Sequence, residues 1–178
     1  TMHFISGADI GQAQNLLAPL SELDIDPAGA VMVVGNGFHE VRGQTDQRLA
    51  DVFRQYHEAG LLLIFTEESA LSVANLLETA WNTYHAGFKY VHERSGQGLR
   101  PAREDPTPGD GPRLPASWHR CATEAGYVCA EAYCQRSRTI FPYRPESGFN
   151  PAISVTHFFV PGPIAERLGL AEGETSPP

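Results

Sequence analysis

Two short apolar runs constrain the fold of this chain more than any other feature. Residues 30–34 read AVMVV and residues 61–66 read LLLIFT, and unbroken apolar runs of this length are typical of strands buried on both faces of a parallel sheet. The segment between them has apolar residues at helical spacing: Leu49, Val52, Phe53 and Tyr56. Thr45 is suited to cap the start of this helix and Gly60 to end it. A strand, a crossover helix and a second strand predict that the two runs are adjacent and parallel.

The remaining elements extend this unit into a single α/β domain. In chain order, the expected elements are a strand over residues 2–6, a helix over 12–23, a helix from 72 to about 84, a helix over 118–125, and strands over 127–133, 138–143 and 153–160. The last two strands are predicted to pair antiparallel at an edge of the sheet. The expected fold class is therefore α/β, with a mostly parallel sheet and an antiparallel final strand. The domain is expected to cover residues 1–170, with an exposed, flexible insertion at about 96–115 and a frayed tail at 171–178.

The charge balance excludes two classes of protein. With 13 Lys and Arg against 21 Asp and Glu, the formal net charge is -8, and no basic run is present that could bind a phosphate backbone or an anionic membrane surface. No apolar run approaches the length of a membrane-spanning helix, about 20 residues, and no secretory signal pattern is present. We therefore expect a cytoplasmic protein that binds neither nucleic acid nor membrane. The three cysteines form no C-x-x-C pair and are expected to be buried or partly buried thiols in a reducing compartment; the alternatives are a metal site or a disulfide.

Polar side chains follow both apolar runs, where the predicted strands end. Residues 35–40 read GNGFHE, and ligands bind at the carboxyl ends of strands in open α/β sheets. His39 is a candidate proton acceptor because an imidazole titrates near neutral pH; the alternative is a turn in which His39 and Glu40 are solvated. Glu67 and Glu68 follow the second run, where they either orient a substrate hydroxyl or amine or are solvated carboxylates.

The stretch at residues 82–101 mixes aromatic and polar side chains, as in the wall of a small-molecule pocket. Tyr84, His85 and His92 are its candidate contacts with a substrate. A metal site made of His85, His92 and Glu93 is disfavoured, because the two histidines would lie two turns apart on a helix.

The order of these segments resembles the C-terminal half of a class I S-adenosylmethionine-dependent methyltransferase. VVGNGFHEV looks like the end of that family's fourth strand, LLLIFTEES like its fifth strand, SWHRCATEAGYVCAEAY like its helix and sixth strand, and AISVTHFFV like its last, antiparallel strand. The resemblance covers about residues 30–170 apart from the insertion and implies a Rossmann-like fold. The family's G-x-G-x-G motif and the acidic residue that holds the cofactor ribose are absent. The expected fold is therefore a methyltransferase fold that lacks its N-terminal, cofactor-binding half.

The resemblance implies an S-adenosylmethionine-dependent methyltransferase, or its C-terminal part, that acts on a small-molecule acceptor. His39 is then the first candidate for the general base and His85 the second. The segment HFISGADIG is similar to the family's third strand, which implies that Asp9 and Ile10 contact the adenine of the cofactor. The other implied contacts are Asn36, Gly37 and Phe38 at the cofactor's methionine end, and Glu40, Glu67, Tyr84 and His92 at the acceptor.

A second hypothesis is that the chain is not catalytic. If the family's first two strands are missing, the third and fourth strands lose their neighbours, and residues 31–34 become an exposed apolar edge to which another chain can bind. A homodimer or a companion chain would then supply the missing pairing. The protein would be a methyltransferase-like module that binds a partner, and the missing glycine motif favours this hypothesis for the chain by itself.

Overall fold

A computed structural model describes residues 2–70, 87, 90–104, 114–139 and 152–170 of the chain. The helices are α1 (Gln14–Glu22), α2 (Asp46–Glu58), α3 (Trp118–Glu124) and α4 (Gly162–Leu168), and the strands are β1 (Val31–Gly35), β2 (Leu62–Glu68), β3 (Tyr127–Cys129), β4 (Gln135–Thr139) and β5 (Ala152–Pro161). Short 3-10 turns cover Phe38–Glu40 and Glu131–Tyr133, and residues 90–94 are helical. The helix expected from residue 72 to about 84 lies outside the described residues.

The strands form a mixed sheet in the order β1-β2-β5-β3, and β4 also pairs with β5. β1 and β2 are parallel, with Val31 opposite Leu62 and Gly35 opposite Thr66. β5 is antiparallel to β2, β3 and β4. The α/β class, the adjacent parallel pair and the antiparallel final strand are therefore confirmed. The sheet is mixed rather than mostly parallel in its pairings, because β5 lies inside the sheet and not at its edge.

Helix α2 connects the parallel pair, and its ends follow from local chemistry. The Thr45 hydroxyl accepts a hydrogen bond from Arg48 N at 3.1 Å, which satisfies one of the free amides at a helix start. The helix ends before Gly60, whose φ of 77° is in the left-handed region that favours glycine. Its buried face packs against the sheet. The main core contains Phe38, Phe53, Leu63, Phe65, Trp118 and Phe159 among others.

Strand β1 differs from the expectation of burial on both faces. Val31 is 51% exposed and Val33 is 75% exposed, whereas Met32 and Val34 pack against the main core. In the described part of the chain only the face of β1 that carries Met32 and Val34 is covered, and β1 is also the outermost strand of the sheet. Its free edge and its exposed valines are therefore both accessible.

The expected strand over residues 2–6 is not formed. This segment has no regular secondary structure, and the Phe4 side chain is exposed. A strand is stabilised by hydrogen bonds to a neighbouring strand, and no described segment pairs with residues 2–6. The apolar residues at 2–6 therefore do not form a strand in the described structure, because no neighbouring strand pairs with them.

The region between residues 96 and 139 also corrects the sequence reasoning. Leu99 and Arg100 are buried, although the insertion at about 96–115 was expected to be exposed. The expected strand over 127–133 ends at Cys129 and continues as the 3-10 turn before β4. Helix α4 lies outside this region and was not predicted either. The prolines at its start are typical of turns as well as of a first helical turn.

No helix within the described ranges combines the length and the apolar character that crossing a membrane requires.

Candidate functional site

The candidate site lies where β1 and β2 end. Asn36 N donates a hydrogen bond to Thr66 O at 2.8 Å, and Asn36 has a φ of 50°, which turns the chain away from the sheet. A Cβ on Gly37 would lie 2.6 Å from Val34 Cγ1, so only glycine fits at this position. The residues after β1 consequently fold back as a 3-10 turn, which brings Phe38 and His39 to the end of β2.

Glu67 is the centre of this arrangement. Its side chain is fully buried, its Oε1 accepts a hydrogen bond from Phe38 N at 2.5 Å, and its Oε2 lies 2.8 Å from His39 Nδ1. A buried carboxylate needs such partners because burial removes its hydration. An ionised carboxylate only accepts hydrogen bonds, so this contact assigns the Nδ1 proton to His39. The alternative that Glu67 is a solvated carboxylate is wrong, because its side chain is fully buried.

His39 is held in an environment that favours its charged form. It is 6% exposed, and its Nε2 lies 3.3 Å from Glu40 Oε1. Burial alone would lower the pKa of His39, but the hydrogen bond that His39 donates to Glu67 and the charges of Glu67, Glu40 and Glu68 together outweigh it and raise the pKa above its ordinary value. The solvated turn considered for His39 is therefore not the environment that the structure provides.

The segment at residues 92–98 packs over the same site. The His92 ring contacts the His39 ring edge to face, with centroids 5.1 Å apart. Gly98 N donates to His39 O at 3.2 Å, and Gln97 Nε2 donates to Glu40 Oε2. The structure therefore brings His39, Glu40, Glu67 and His92 together. Tyr84 and His85 lie outside the described residues.

A buried arginine connects this site to helix α2, and the sequence reasoning missed it. Arg100 Nε donates to Gln44 Oε1 at 2.6 Å, and Gln44 Nε2 donates to Phe38 O at 3.0 Å. Arg100 Nη1 also donates to Asp46 Oδ1 at 2.5 Å and to Ala116 O at 2.9 Å. Partial burial opposes ionisation of Asp46, but the hydrogen bond and charge of Arg100 outweigh it and lower the pKa of that carboxyl. No local pattern marks Arg100, because all of these partners are distant in the sequence.

The residues implied as cofactor contacts have mixed surroundings. The Asp9 carboxylate accepts hydrogen bonds from Gln12 Nε2 at 2.9 Å and from Gly11 N at 2.8 Å, and these bonds lower its pKa. A Cβ on Gly37 would lie 3.4 Å from Ile10 Cδ1, so Ile10 is next to the turn that carries His39. Asn36 is exposed.

Phe38 has a structural role in this fold. Its ring is fully buried and contacts Phe53 and Phe65 edge to face, with centroids 4.8 Å and 5.1 Å apart. The Phe38 side chain is therefore part of the core, and its contribution to the site is the backbone amide that binds Glu67. The position of the Phe38 ring does not support the implied contact with a cofactor, because the ring is buried in the core.

An open groove on the described surface lies elsewhere, between the start of α1 and helix α2. Gln12, Arg48 and Gln55 line it, but His39, Glu40 and Glu67 do not. Its lining contains no pair of groups that resembles an acid and base. We therefore place the candidate chemistry at the strand ends, where the titratable groups converge.

A separate cluster contains side chains of types that bind metals. Donor atoms of His119, Cys129 and Glu131 lie within 4.8 Å of one another, and no other such group occurs in the described part of the chain. The Arg103 guanidinium already contacts Cys129 Sγ at 3.6 Å and pairs with the Glu131 carboxylate. Because this cation occupies two of the three donors, we do not interpret the cluster as a metal centre.

Compared with known proteins, the chain matches no protein-family model and no curated protein sequence.

Proposed function

We propose that this chain is all or the C-terminal part of an S-adenosylmethionine-dependent methyltransferase that acts on a small-molecule acceptor, with His39 as its general base. The observation that carries the proposal is the 2.8 Å contact between His39 Nδ1 and the fully buried Glu67 carboxylate. A histidine whose second nitrogen is held by a carboxylate is suited to proton transfer, because its ring orientation and tautomer are defined. The parallel β1–β2 pair and the antiparallel β5 support the same proposal, since the resemblance implies both.

The proposed reaction gives each polar group a task. In neutral His39, Nδ1 keeps its proton and hydrogen-bonds to Glu67. Nε2 is then free to take the proton from the hydroxyl or amine of the substrate. Glu67 acts as a positioning residue and stabilises the imidazolium that forms. Glu40 lies beside Nε2 at 3.3 Å and is held by Gln97, so it can contact the same acceptor group. S-adenosylmethionine, when bound, supplies the methyl group on a positively charged sulfur.

The residues present fit only part of this cofactor. Ile10 and the backbone at Gly37 lie next to each other at the end of β1, where the resemblance implies the adenine and methionine ends. Both Asp9 oxygens already accept hydrogen bonds from their own turn. The glycine motif and the ribose-binding acid of the family are absent from the sequence. We therefore assign no part of the reaction to cofactor contacts.

Replacing His39 tests the proposal in a polypeptide that contains this chain together with a glycine motif. His39→Ala is expected to lower methyl-transfer turnover by about a hundredfold or more, because a general base acts in the transition state. The affinity for S-adenosylmethionine should change little. Transfer of labelled methyl groups and equilibrium binding of the cofactor measure the two quantities separately.

Glu67→Gln removes the charge of this side chain but keeps its shape, and it tests whether Glu67 acts on the pKa of His39. A base must be deprotonated to act, so the acid limb of the turnover profile should lie above pH 6.5, the ordinary value for histidine, because the His39 pKa is raised. Glu67→Gln removes a charge that raises this pKa, so the limb should move to lower pH. An acid limb that is unchanged in both variants would assign proton transfer to another residue.

A non-catalytic function is the second candidate, and the exposure of β1 favours it. The strand is outermost in the described sheet, and Val31 and Val33 on its uncovered face are exposed. An edge strand with free backbone groups can pair with a strand of another chain. In this case the chain would be a methyltransferase-like module that binds a partner protein. Absence of methyl transfer from a polypeptide that contains this chain together with a glycine motif would favour it.

A further inference from the structure

Two half-buried cysteines face each other at the turn between β3 and β4. Cys129 is the last residue of β3, and Cys134 directly precedes β4, after the 3-10 turn Glu131–Tyr133. Their Sγ atoms are 3.4 Å apart, which is a contact distance for two thiols. β3 and β4 pair with the edge of β5 opposite β2, so this pair belongs to a different part of the sheet from His39.

The surroundings of the two sulfurs make them unequal. The two thiols share a hydrogen bond in which either sulfur can be the donor, and Phe158 N donates to Cys134 Sγ at 3.4 Å. These two contacts lower the pKa of Cys134, whereas the contact with Cys134 and burial raise the pKa of Cys129. Arg103 Nη2 lies 3.6 Å from Cys129 Sγ and adds positive charge to the cluster. Cys134 is therefore the sulfur that is suited to be a nucleophile, and Cys129 is the neighbouring thiol.

We propose that Cys129 and Cys134 form a redox-active pair that is oxidised by a hydroperoxide to a reversible intramolecular disulfide. In the first step the Cys134 thiolate attacks one peroxide oxygen, the O–O bond breaks, and the leaving oxygen takes up a proton to become water or an alcohol. Cys134 is then a sulfenic acid. In the second step Cys129 loses its proton and attacks Cys134 Sγ, the S–S bond forms, and the S–O bond breaks with release of water. Two electrons pass from the two thiols to the peroxide, and a small dithiol reverses the reaction.

The third cysteine supplies an internal control. Cys121 is fully buried in α3, and burial raises its pKa to about 11. A buried thiol with a raised pKa reacts slowly with peroxide, because the thiolate is the reactive form. Cys121 should therefore remain reduced under conditions that oxidise the other two.

Intact-mass analysis and thiol counting of the full chain test the proposal with hydrogen peroxide as the oxidant. Of the three cysteines in the sequence, two should be lost to a thiol-specific alkylating reagent, and the mass should fall by two hydrogen atoms. Peptide mapping should locate the bond between Cys129 and Cys134, and dithiothreitol should restore both thiols. This measurement requires no variant. Retention of all three thiols, a bond that includes Cys121, or co-purification of a metal with the reduced pair would overturn the proposal.

Single substitutions test the order of the two steps. In Cys129→Ala the oxidation should stop at a Cys134 sulfenic acid that dimedone traps, whereas Cys134→Ala should show no dimedone adduct at the low peroxide concentration that oxidises wild type. Cys121→Ser should behave as wild type. A dimedone adduct on Cys129 instead of Cys134 would reverse the assignment of the nucleophile.

Discussion

Single residues show how differently this fold treats its buried ionisable groups. Glu67 is fully buried and has two hydrogen-bond donors. His157 on the neighbouring strand β5 is 1% exposed, and within the described structure neither of its ring nitrogens has a hydrogen-bond partner. Its ring contacts the rings of both Phe65 and Phe159, with centroids at 5.0 Å and 5.7 Å. Burial lowers the pKa of His157 to about 3, so this histidine is neutral in the folded protein and carries no catalytic role in our proposal.

His157 should make the protein less stable in acid. Its folded pKa is below its ordinary value of about 6.5, so the unfolded chain binds more protons between pH 6.5 and pH 3. Above pH 6.5 the buried, neutral His157 does not lower the free energy of unfolding. Below pH 6.5 this free energy falls by about 1.4 kcal/mol per pH unit, because the unfolded chain binds one proton more. Between pH 7 and pH 5, wild type should therefore lose about 2 kcal/mol more than His157→Phe.

Urea unfolding at the two pH values measures this difference. His3→Phe is the matched control, because it makes the same substitution at an exposed position. The opposite pH dependence that His39 contributes is the same in all three proteins and cancels. Equal losses for wild type and His157→Phe would mean that a partner satisfies the His157 ring.

Individual elements begin and end where short-range contacts dictate. Ser117 Oγ accepts from Arg120 N at 3.0 Å at the start of α3, as Thr45 does at the start of α2. Thr45 also lies between Gln44 and Asp46, the residues that bind Arg100. The cap of α2 therefore helps to orient Gln44 and Asp46, which bind Arg100 next to the site.

Thr45→Ala is expected to lower the free energy of unfolding by about 1 kcal/mol, because an amide at the start of α2 loses its acceptor. Thr45 is exposed, so the substitution leaves no internal cavity. Thr45→Ser keeps the hydroxyl and should retain most of the stability. Chemical denaturation of the two variants makes the comparison, and equal losses in both would show that the hydroxyl is not the cause.

At the level of the whole molecule, the described sheet has one well-covered end and one open end. Helices α2 and α3 pack together and against the core, and α4 packs with Val160 on a second, smaller cluster. The β1 end has exposed Val31 and Val33. The candidate site is at this less complete end, next to the turn that follows β1.

This open end leads us to expect weak cofactor binding by the chain alone. Without the glycine motif, the backbone amides that would bind the carboxylate end of S-adenosylmethionine are missing, so its dissociation constant should be no tighter than about 1 mM, which is about 4 kcal/mol of binding. Titration calorimetry measures this directly. A micromolar constant, about 8 kcal/mol, would show that the cofactor site is misplaced, and Asp9→Ala would then test the implied adenine contact.

Much of the fold could be predicted from the chain without its structure. Thr45, Gly60 and Ser117 act on residues a few positions away, so the ends of α2 and α3 follow from local sequence. The spacing of apolar residues likewise predicted β1, α2, β2 and their parallel pairing. The approximate location of the site could also be predicted, because polar residues after adjacent parallel strands must lie at the same edge of the sheet.

The contacts that give the site its chemistry were decided by tertiary structure. Glu67 had two open interpretations in the sequence, and only the turn over Gly37 brings Phe38 N and His39 Nδ1 to its carboxylate. The sequence predicts an exposed loop around Arg100, because the groups that bind this side chain are distant in the chain. The same holds for residues 2–6 and for β1, whose apolar side chains could not reveal whether a neighbouring strand was present. Burial and strand pairing depend on segments far apart in the chain, and no pattern within one segment encodes its partner.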